Sequence, residues 1–211
     1  MPETKKKRTF VYIDGFNFYY GIREKFGRRL LWLDLNTLCR KLLKPDQELI
    51  AVKYFTARVA GTAYDPTKPK RQVAFLEAFQ TLPNLSIIYG HYLAKDIRCR
   101  NCGAQWQQPE EKMTDVNIAT ELLRDGFEDR FDVALLISGD SDLSRPVETL
   151  TQLYPNKRVV VAFPPARNSA ELIRVAPAHF RIGRKKLVES QFPDEVTKPD
   201  GYILRRPKEW K

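Results

Sequence analysis

The sequence has few cysteines and few histidines, and each scarcity argues against a class of protein. Three cysteines in 211 residues, an odd number, do not make a disulfide framework, so we expect a reducing, cytoplasmic compartment. The two histidines, His91 and His179, lie too far apart in the sequence for a catalytic pair of imidazoles to be argued. Glycine and proline occur at ordinary levels, with 10 and 14 residues, which excludes a fibrous or disordered chain.

Long apolar runs are also missing. The longest have the length of a strand, well short of the ~20 residues of a membrane-spanning helix. The charged amino terminus leads directly into a strand, so we expect neither a signal peptide nor a membrane partner. A hydrophobic fraction of 43% suffices for one domain with a substantial core. The net charge of +10 is compatible with a polyanionic partner such as a nucleic acid.

Apolar segments of strand length alternate with segments of helical period along the chain. The predicted strands cover residues 9–13, 48–55, 85–93, 131–137, 158–163 and 180–182, and the predicted helices cover 15–26, 34–42, 71–81, 115–124, 142–153 and 169–175. Several strands are apolar throughout, which is typical of a parallel sheet covered on both faces. We therefore predict an α/β fold, a three-layer α/β/α sandwich with a mainly parallel sheet.

One domain over residues 9–183 accounts for this alternation. A basic tail (1–8) precedes it, and a charged, proline-bearing tail (184–211) follows it. We expect the second tail to be loosely ordered or to pack on a partner. The segment 95–111 is interpreted as an irregular insertion that carries a CxxC motif.

Carboxylates follow two of the predicted strands. Asp14 comes directly after the first strand, and Asp140 and Asp142 follow the strand FDVALLI within the sequence SGDSD. Asp115 begins a predicted helix. Ligands of parallel sheets bind at the carboxyl ends of the strands, so these side chains converge if the two strands are neighbours. Crowded carboxylates repel one another unless a cation neutralises them, and oxygen ligands suit Mg²⁺ or Mn²⁺.

Neutral polar residues accompany the carboxylates. Asn17 lies in the sequence DGFN after the first strand, and Ser138 and Ser141 flank Asp140. Their oxygen atoms suit a role in orienting carboxylates or water around a metal. Helix capping alone is a simpler explanation of Asp140 and Asp142, but a single Asp is enough for a cap.

Three segments, FVYIDGFNFYYGI, EKMTDVNIATELLRDGFEDRFDVALLISGDSDLSRPVETL and KRVVVAFPP, resemble the NYN domain family (LabA-like proteins) of the PIN-like nuclease superfamily. The resemblance spans about residues 9–182 and implies a PIN-like fold with metal-dependent cleavage of RNA. It also implies a homodimer, because PIN-like domains often pair. The residues that match the acidic cluster binding Mg²⁺ or Mn²⁺ are Asp14, Asp115, Asp140 and Asp142, and those that match the neighbouring polar positions are Asn17 and Ser138.

These observations predict a cytoplasmic ribonuclease that hydrolyses phosphodiester bonds of single-stranded or loop RNA. The metal ligands would activate a water for in-line attack on phosphorus. Tyr19, Tyr54 and Phe55 are candidates for base stacking, although core packing is the more common role of such residues. The candidate RNA-binding residues are Lys53, Arg58, Lys68, Lys70, Arg71 and Lys112.

Two alternative functions remain open at this point. A non-catalytic RNA-binding module would keep the same fold and the same basic surface. The sequence DSDLS also matches the DxDx[ST] nucleophile motif of haloacid-dehalogenase-like phosphatases, although no later acidic pair stands where such a site needs it.

The insertion contains Cys99-Arg100-Asn101-Cys102-Gly103, which has the spacing of half a zinc knuckle. A tetrahedral zinc site needs four ligands. His91, Cys39 or the same pair of cysteines from another subunit would have to complete it. The alternative is a pair of reduced thiols in a surface loop.

Overall fold

Six parallel strands form the centre of the protein in a computed structural model that describes residues 5–61, 64–99 and 101–211. Only the backbone is described within 92–95 and 106–111. The strands of this sheet, numbered along the chain, are β1 (Lys7–Asp14), β2 (Gln47–Thr56), β3 (Leu85–Tyr89), β6 (Val133–Ile137), β7 (Arg158–Phe163) and β8 (Ala178–Arg181). Their order across the sheet is β3-β2-β1-β6-β7-β8. The predicted α/β fold with a mainly parallel sheet is therefore confirmed.

Helices flank the sheet on both faces. They are α1 (Gly15–Phe26), α2 (Leu35–Leu42), α3 (Lys68–Phe79), α4 (Thr114–Phe127), α5 (Ser144–Leu153), α6 (Ala170–Val175) and α7 (Arg184–Val188). Alternate residues of β1 enter the two core layers, with Val11 and Ile13 in one and Phe10 and Tyr12 in the other. Among the described residues, no helix is both long and apolar enough to cross a membrane.

The pairing of β1 with β6 positions the candidate site. Ile13 lies opposite Ile137 in the parallel register, so both strands end at the same edge of the sheet. Asp14 ends β1 at this edge, and Ser138 follows β6 beside it. A short 3-10 helix, Ser141–Leu143, then leads into α5.

The segment 95–111 is not irregular, contrary to the expectation from sequence. It belongs to a two-stranded antiparallel ribbon of β4 (His91–Arg98) and β5 (Gln105–Lys112). Its polar sequence lacks a regular spacing of apolar residues, since within the described part of the chain these two strands pair with each other and not with the central sheet. The predicted strand 85–93 divides at Gly90, and Arg100 lies outside the described residues.

The carboxy-terminal segment also differs from the expectation of a loose tail. It forms α7 and a small hairpin of β9 (Glu195–Thr197) and β10 (Ile203–Arg205). Trp210 is buried against Trp32 and Phe75, and the indole of Trp32 donates a hydrogen bond to the carbonyl of Pro193 at 2.7 Å. A few apolar anchors thus dock a segment that is otherwise charged. At the other end, β1 already includes two residues of the predicted basic tail, and residues 1–4 lie outside the described part.

Candidate metal centre

Three carboxylates meet at the carboxyl edge of the central sheet. Asp14 is the last residue of β1, Asp140 follows β6, and Asp115 lies in the first turn of α4. One oxygen atom of each lies within 4.8 Å of the others. Asp14 is only 4% exposed, whereas Asp115 and Asp140 are half-buried. The cluster therefore has a buried base and a more accessible rim.

Neutral hydrogen-bond donors fix the orientation of Asp14. The Ser138 hydroxyl donates to Oδ2 at 2.9 Å, and the backbone N–H of Asn17 donates to Oδ1 at 2.9 Å. Asp14 is thereby also the N-cap of α1. The Ser138 oxygen in turn accepts a hydrogen bond from the backbone N–H of Asp140 at 3.0 Å. A single buried hydroxyl thus connects the carboxylate of Asp14 to the backbone of Asp140.

Asn17 joins the two strand ends from the other side. Its side-chain oxygen accepts a hydrogen bond from the backbone N–H of Gly139 at 2.9 Å. Asn17 therefore holds the loop after β6 against the first turn of α1. This contact and the Ser138 hydroxyl keep the carboxylates of the cluster in a defined geometry.

Burial raises the pKa of Asp14 to about 7, and the charges of Asp115 and Asp140 act in the same direction against the hydrogen bonds from Asn17 and Ser138. A cation at this position would lower the pKa of Asp14 instead, because it favours the ionised carboxylates. The donor set consists of carboxylate oxygens. Oxygen ligands of this kind fit a hard divalent ion such as Mg²⁺ or Mn²⁺.

Asp142 and Ser141 lie outside this arrangement. Both side chains are exposed, and the acidic group found among the described residues does not include Asp142. The backbone N–H of Asp142 donates to Oδ1 of Asp140 at 3.0 Å, so Asp140 also caps the 3-10 helix. The capping interpretation and the metal interpretation of Asp140 are thus compatible.

Sequence reasoning missed the residues that form the wall of the site. A cleft of about 230 Å³ contains the acidic cluster and is also lined by Phe16, Tyr20, Thr114 and Arg167. Arg167 donates to the carboxylate of Glu24 at 2.7 Å. It follows β7 within the sequence FPPAR, at the same edge of the sheet. The rule that ligands bind at the carboxyl ends of parallel strands, which located the aspartates, could therefore also have found Arg167.

A close approach of two loops places Arg167 beside the cluster. A Cβ atom at Gly139 would lie 2.8 Å from the Cβ of Arg167, so the position tolerates no side chain without a shift. The backbone at Ala166 has φ +55, in the left-handed region that non-glycine residues rarely adopt. These two local features bring the loop after β7 against the loop after β6.

The aromatic candidates divide between core and cleft. Tyr54 and Phe55 are buried, so they are core residues, whereas Tyr19 is half-buried. The rings of Phe16 and Tyr20 lie 6.3 Å apart at 18° and line the cleft. They also line a neighbouring cavity together with Tyr19. The aromatic surface that lines the cleft is therefore on α1.

Two of the candidate RNA-binding residues, Lys53 and Arg71, are engaged in the protein interior. Lys53 is buried and forms ion pairs with Glu121, at 2.6 Å, and with Asp125. Arg71 is buried and forms ion pairs with Asp65 and Glu209. Their cationic groups have carboxylate partners within the protein, so a contact with phosphate would have to displace those partners.

The other candidate basic residues lie at or near the surface. Lys68 is half-buried, with its Nζ 3.5 Å from the hydroxyl of Tyr20, which lines the cleft. Arg58 is exposed and stacks on the ring of Tyr89 at 5.0 Å. Lys70 and Lys112 are exposed. Lys68 is therefore the predicted RNA contact that the structure links most directly to the cleft.

The structure separates the candidate zinc ligands. In the β4–β5 ribbon, His91 lies opposite Lys112 at one end, and Cys99 follows Arg98 at the other. Eight residues of strand span about 26 Å, so His91 cannot complete a site with Cys99 and Cys102 of the same chain. Cys39 is fully buried in the domain core.

The comparisons with known proteins agree with this architecture. The NYN domain model matches residues 8–183. The chain is 26% identical to 6-hydroxy-3-succinoylpyridine 3-monooxygenase HspA of Pseudomonas putida, in an alignment that covers 99% of this chain and 77% of that protein. A protein of unknown function from Vibrio parahaemolyticus superposes with a TM-score of 0.57 at 25% identity, over 87% of this chain and 98% of that one.

The family match and the observed fold both indicate a nuclease-type domain. NYN domains have a nuclease-type fold and generally act on RNA. The six-stranded parallel sheet and the three aspartates at its carboxyl edge are consistent with that fold and with binding of a divalent metal. Because the family model covers most of the chain, this protein belongs to the NYN domain family of the PIN-like nuclease superfamily.

Proposed function

We propose that this protein is a ribonuclease that depends on Mg²⁺ or Mn²⁺ and hydrolyses phosphodiester bonds of single-stranded or loop RNA. The observation that carries the proposal is the convergence of Asp14, Asp115 and Asp140 at the carboxyl edge of the sheet in a NYN domain. Three free cysteines favour a reducing compartment such as the cytoplasm.

Each residue of the site has a role in this reaction. The carboxylates of Asp14, Asp115 and Asp140 would hold a divalent cation, which when bound would neutralise charge at the phosphate and acidify an attacking water. Ser138 and Asn17 hold Asp14 in the orientation that a ligand needs. Arg167, on the wall of the cleft, would offer its guanidinium to the non-bridging oxygens of the phosphate in exchange for its contact with the exposed carboxylate of Glu24.

The surroundings of the cleft favour an unpaired strand as the substrate. Phe16 and Tyr20 present aromatic surface beside the carboxylates, and unstacked bases bind to such surfaces. Lys68, next to Tyr20, adds positive charge where the backbone of a bound strand would continue. Bases in a duplex are stacked on one another and do not offer their faces in this way.

The first test is cleavage of a labelled single-stranded RNA with Mn²⁺ or Mg²⁺, with an EDTA control and with RNA binding measured in parallel. We expect Asp14→Asn and Asp140→Asn to reduce the cleavage rate by at least about 100-fold while RNA binding persists. Asp142→Asn is the matched control, because it makes the same chemical change on an exposed carboxylate two residues from Asp140. It should retain the rate within a few-fold.

Other outcomes would overturn the proposal. Salt-dependent RNA binding without cleavage by the wild-type protein would leave the non-catalytic binding module as the better description. Cleavage that survives both substitutions would mean that the active site lies elsewhere. Hydrolysis of phosphomonoesters that is lost in Asp140→Asn, without RNA cleavage, would favour the phosphatase alternative.

A second candidate function is oxygenation of a small heteroaromatic compound, the reaction class in the name of the Pseudomonas putida relative. The cavity next to the cleft is lined by Tyr19, Tyr54 and Trp210 together with Lys68 and Arg71, but its volume of about 40 Å³ would have to increase before a heteroaromatic ring could enter. Monooxygenation consumes O₂ and two electrons from an external donor. Oxygen uptake with a hydroxypyridine and a reduced nicotinamide, yielding a hydroxylated product, would support this function over RNA cleavage.

A further inference from the structure

The tip of the β4–β5 ribbon folds two cysteines into a tight turn. The backbone N–H of Cys99 donates to the carbonyl of Ala104 at 2.8 Å, and that of Gly103 donates to the carbonyl of Cys99 at 3.0 Å. Gly103 has φ +71, a left-handed conformation that glycine adopts without strain. The glycine that follows the CxxC motif is therefore required by the shape of the turn.

The same turn directs hydrogen bonds at one sulfur atom. The backbone N–H groups of Cys102 and Asn101 and the side chain of Cys102 form hydrogen bonds with the Cys99 sulfur and lower the pKa of its thiol. The thiolate is the form of cysteine that binds metal ions. The turn holds Cys99 and Cys102 three residues apart at one end of the ribbon, which is the CxxC spacing of two ligands of one ion.

This pair of thiols is exposed and lacks two further ligands. Residues 101–105 at the tip are exposed, and Cys99 is half-buried. Among the described residues of this chain, Cys39 is enclosed in the core and His91 lies at the far end of the ribbon. A tetrahedral zinc site needs four ligands, so the pair is half of one.

We propose that the ribbon tip binds Zn²⁺ together with a second copy of the chain, so that Cys99 and Cys102 of both copies form one tetrahedral four-thiolate site. The ion would join two ribbons tip to tip. This site is independent of the carboxylate cluster, because thiolates select Zn²⁺ whereas carboxylates suit Mg²⁺ and Mn²⁺.

The charge around the tip fits this assembly. Four thiolates around Zn²⁺ carry a formal charge of −2. Arg98 is exposed, and its guanidinium nitrogen lies 3.9 Å from the position that a Cβ atom of Gly103 would occupy. Two copies of Arg98, one from each chain, would therefore offset the charge of the complex close to the sulfur atoms.

The experiment measures zinc content and molecular mass of the full-length protein purified under reducing conditions. We expect one zinc ion per two chains and a dimer that dissociates when a chelator removes the zinc. Cys99→Ser and Cys102→Ser should each lose the zinc and be monomeric. Cys39→Ala is the matched control, because it removes the third cysteine and should retain both zinc and dimer.

Cobalt substitution gives a second, independent readout. Co²⁺ bound to the wild-type protein should show the strong absorption of tetrahedral thiolate coordination, and Cys102→Ser should lack it. One zinc ion in each monomeric chain would overturn the proposal. So would a protein without zinc whose two tip cysteines form a disulfide, or zinc retained in full by Cys102→Ser.

Discussion

Two buried carboxylates beside the same strand have opposite environments. Asp125, at the end of α4, is fully buried, and it pairs with Lys53 and Arg130 and accepts a hydrogen bond from the hydroxyl of Tyr12 at 2.7 Å. Asp14, at the end of β1, is nearly as buried, but the hydrogen-bond donors Ser138 and Asn17 that contact it are neutral. The protein thus supplies a cation to Asp125 and places Asp14 among other carboxylates.

This difference in partners distinguishes a carboxylate that stabilises the fold, Asp125, from one that belongs to a candidate metal site, Asp14. An ion pair inside the protein satisfies both partners and leaves no requirement for a ligand. A buried carboxylate whose neighbours are Asp115 and Asp140 is stabilised in its ionised form by a cation from solution. Helix α4 contributes to both places, since Asp115 lies in its first turn and Asp125 in its last. Burial alone therefore does not identify a functional carboxylate.

Removing the internal cation should have the largest effect on stability. Lys53→Met leaves Asp125 buried without its lysine, and we expect a loss of about 3–5 kcal/mol in the free energy of unfolding, measured with urea. The double variant Lys53→Met/Asp125→Leu should recover part of this loss, because it also removes the buried Asp125 charge, while Glu121 keeps Arg124 as its partner. A Lys53→Met protein as stable as the wild type would contradict the role of the pair.

Asp14→Asn should stabilise the metal-free protein at high pH, whereas Lys53→Met destabilises it. The pKa of Asp14 is about 7 in the folded protein, above its unfolded value. The contribution of this carboxyl to the free energy of unfolding is therefore fully present below about pH 4 and is lost as the pH rises through 7. The loss amounts to a few kcal/mol by pH 8, to order of magnitude, and Asp14→Asn should abolish it. Unfolding in urea between pH 5 and 8 with EDTA tests this.

Mn²⁺ gives the control for that pH dependence. Added Mn²⁺ should stabilise the wild type at pH 8 but not Asp14→Asn, because only the wild type has the complete carboxylate set. A pH profile that is the same in the two proteins would mean that Asp14 does not titrate differently on folding.

Ser138→Ala should weaken the site without removing a carboxylate. The substitution deletes the hydroxyl that contacts both Asp14 and the backbone of Asp140, and we expect cleavage to fall by about 10–100-fold. Ser141→Ala, on an exposed side chain three residues later, is the matched control and should change the rate little. Equal effects of the two substitutions on the cleavage rate would argue against the positioning role of Ser138.

The smallest effect on stability is expected for Asp132→Asn, at the amino ends of β1 and β6. The Arg8 side chain beside Asp132, assisted by the Arg8 backbone N–H, holds the pKa of Asp132 below its usual range. Stability from this pair is present above about pH 4 and is lost as the pH falls through the folded pKa. Both groups are partly exposed, so Asp132→Asn should cost less than about 1 kcal/mol at pH 7. Thermal unfolding between pH 3 and 7 measures it.

Much of the site was predictable because its signals are local. Asp14 and Asp140 directly follow apolar strands, and the carboxyl ends of parallel strands are where ligands bind. The assignment of Asp142 to the cluster and of Lys53 to the RNA surface had no such support. A lysine within the apolar strand ELIAVKYF is itself a signal of a buried ion pair, but the sequence does not reveal its partner.

The sequence by itself determined the alternation of strands and helices, the position of the polar strand ends and the cysteine turn, because period, caps and glycine are properties of neighbouring residues. Only the tertiary structure decided that β1 lies beside β6, that Arg167 reaches the cleft and that Trp210 docks the carboxy-terminal segment. These outcomes depend on contacts between residues far apart in the chain. Which face of the sheet a side chain meets, and which charge lies there, is set by the register and packing of the whole domain.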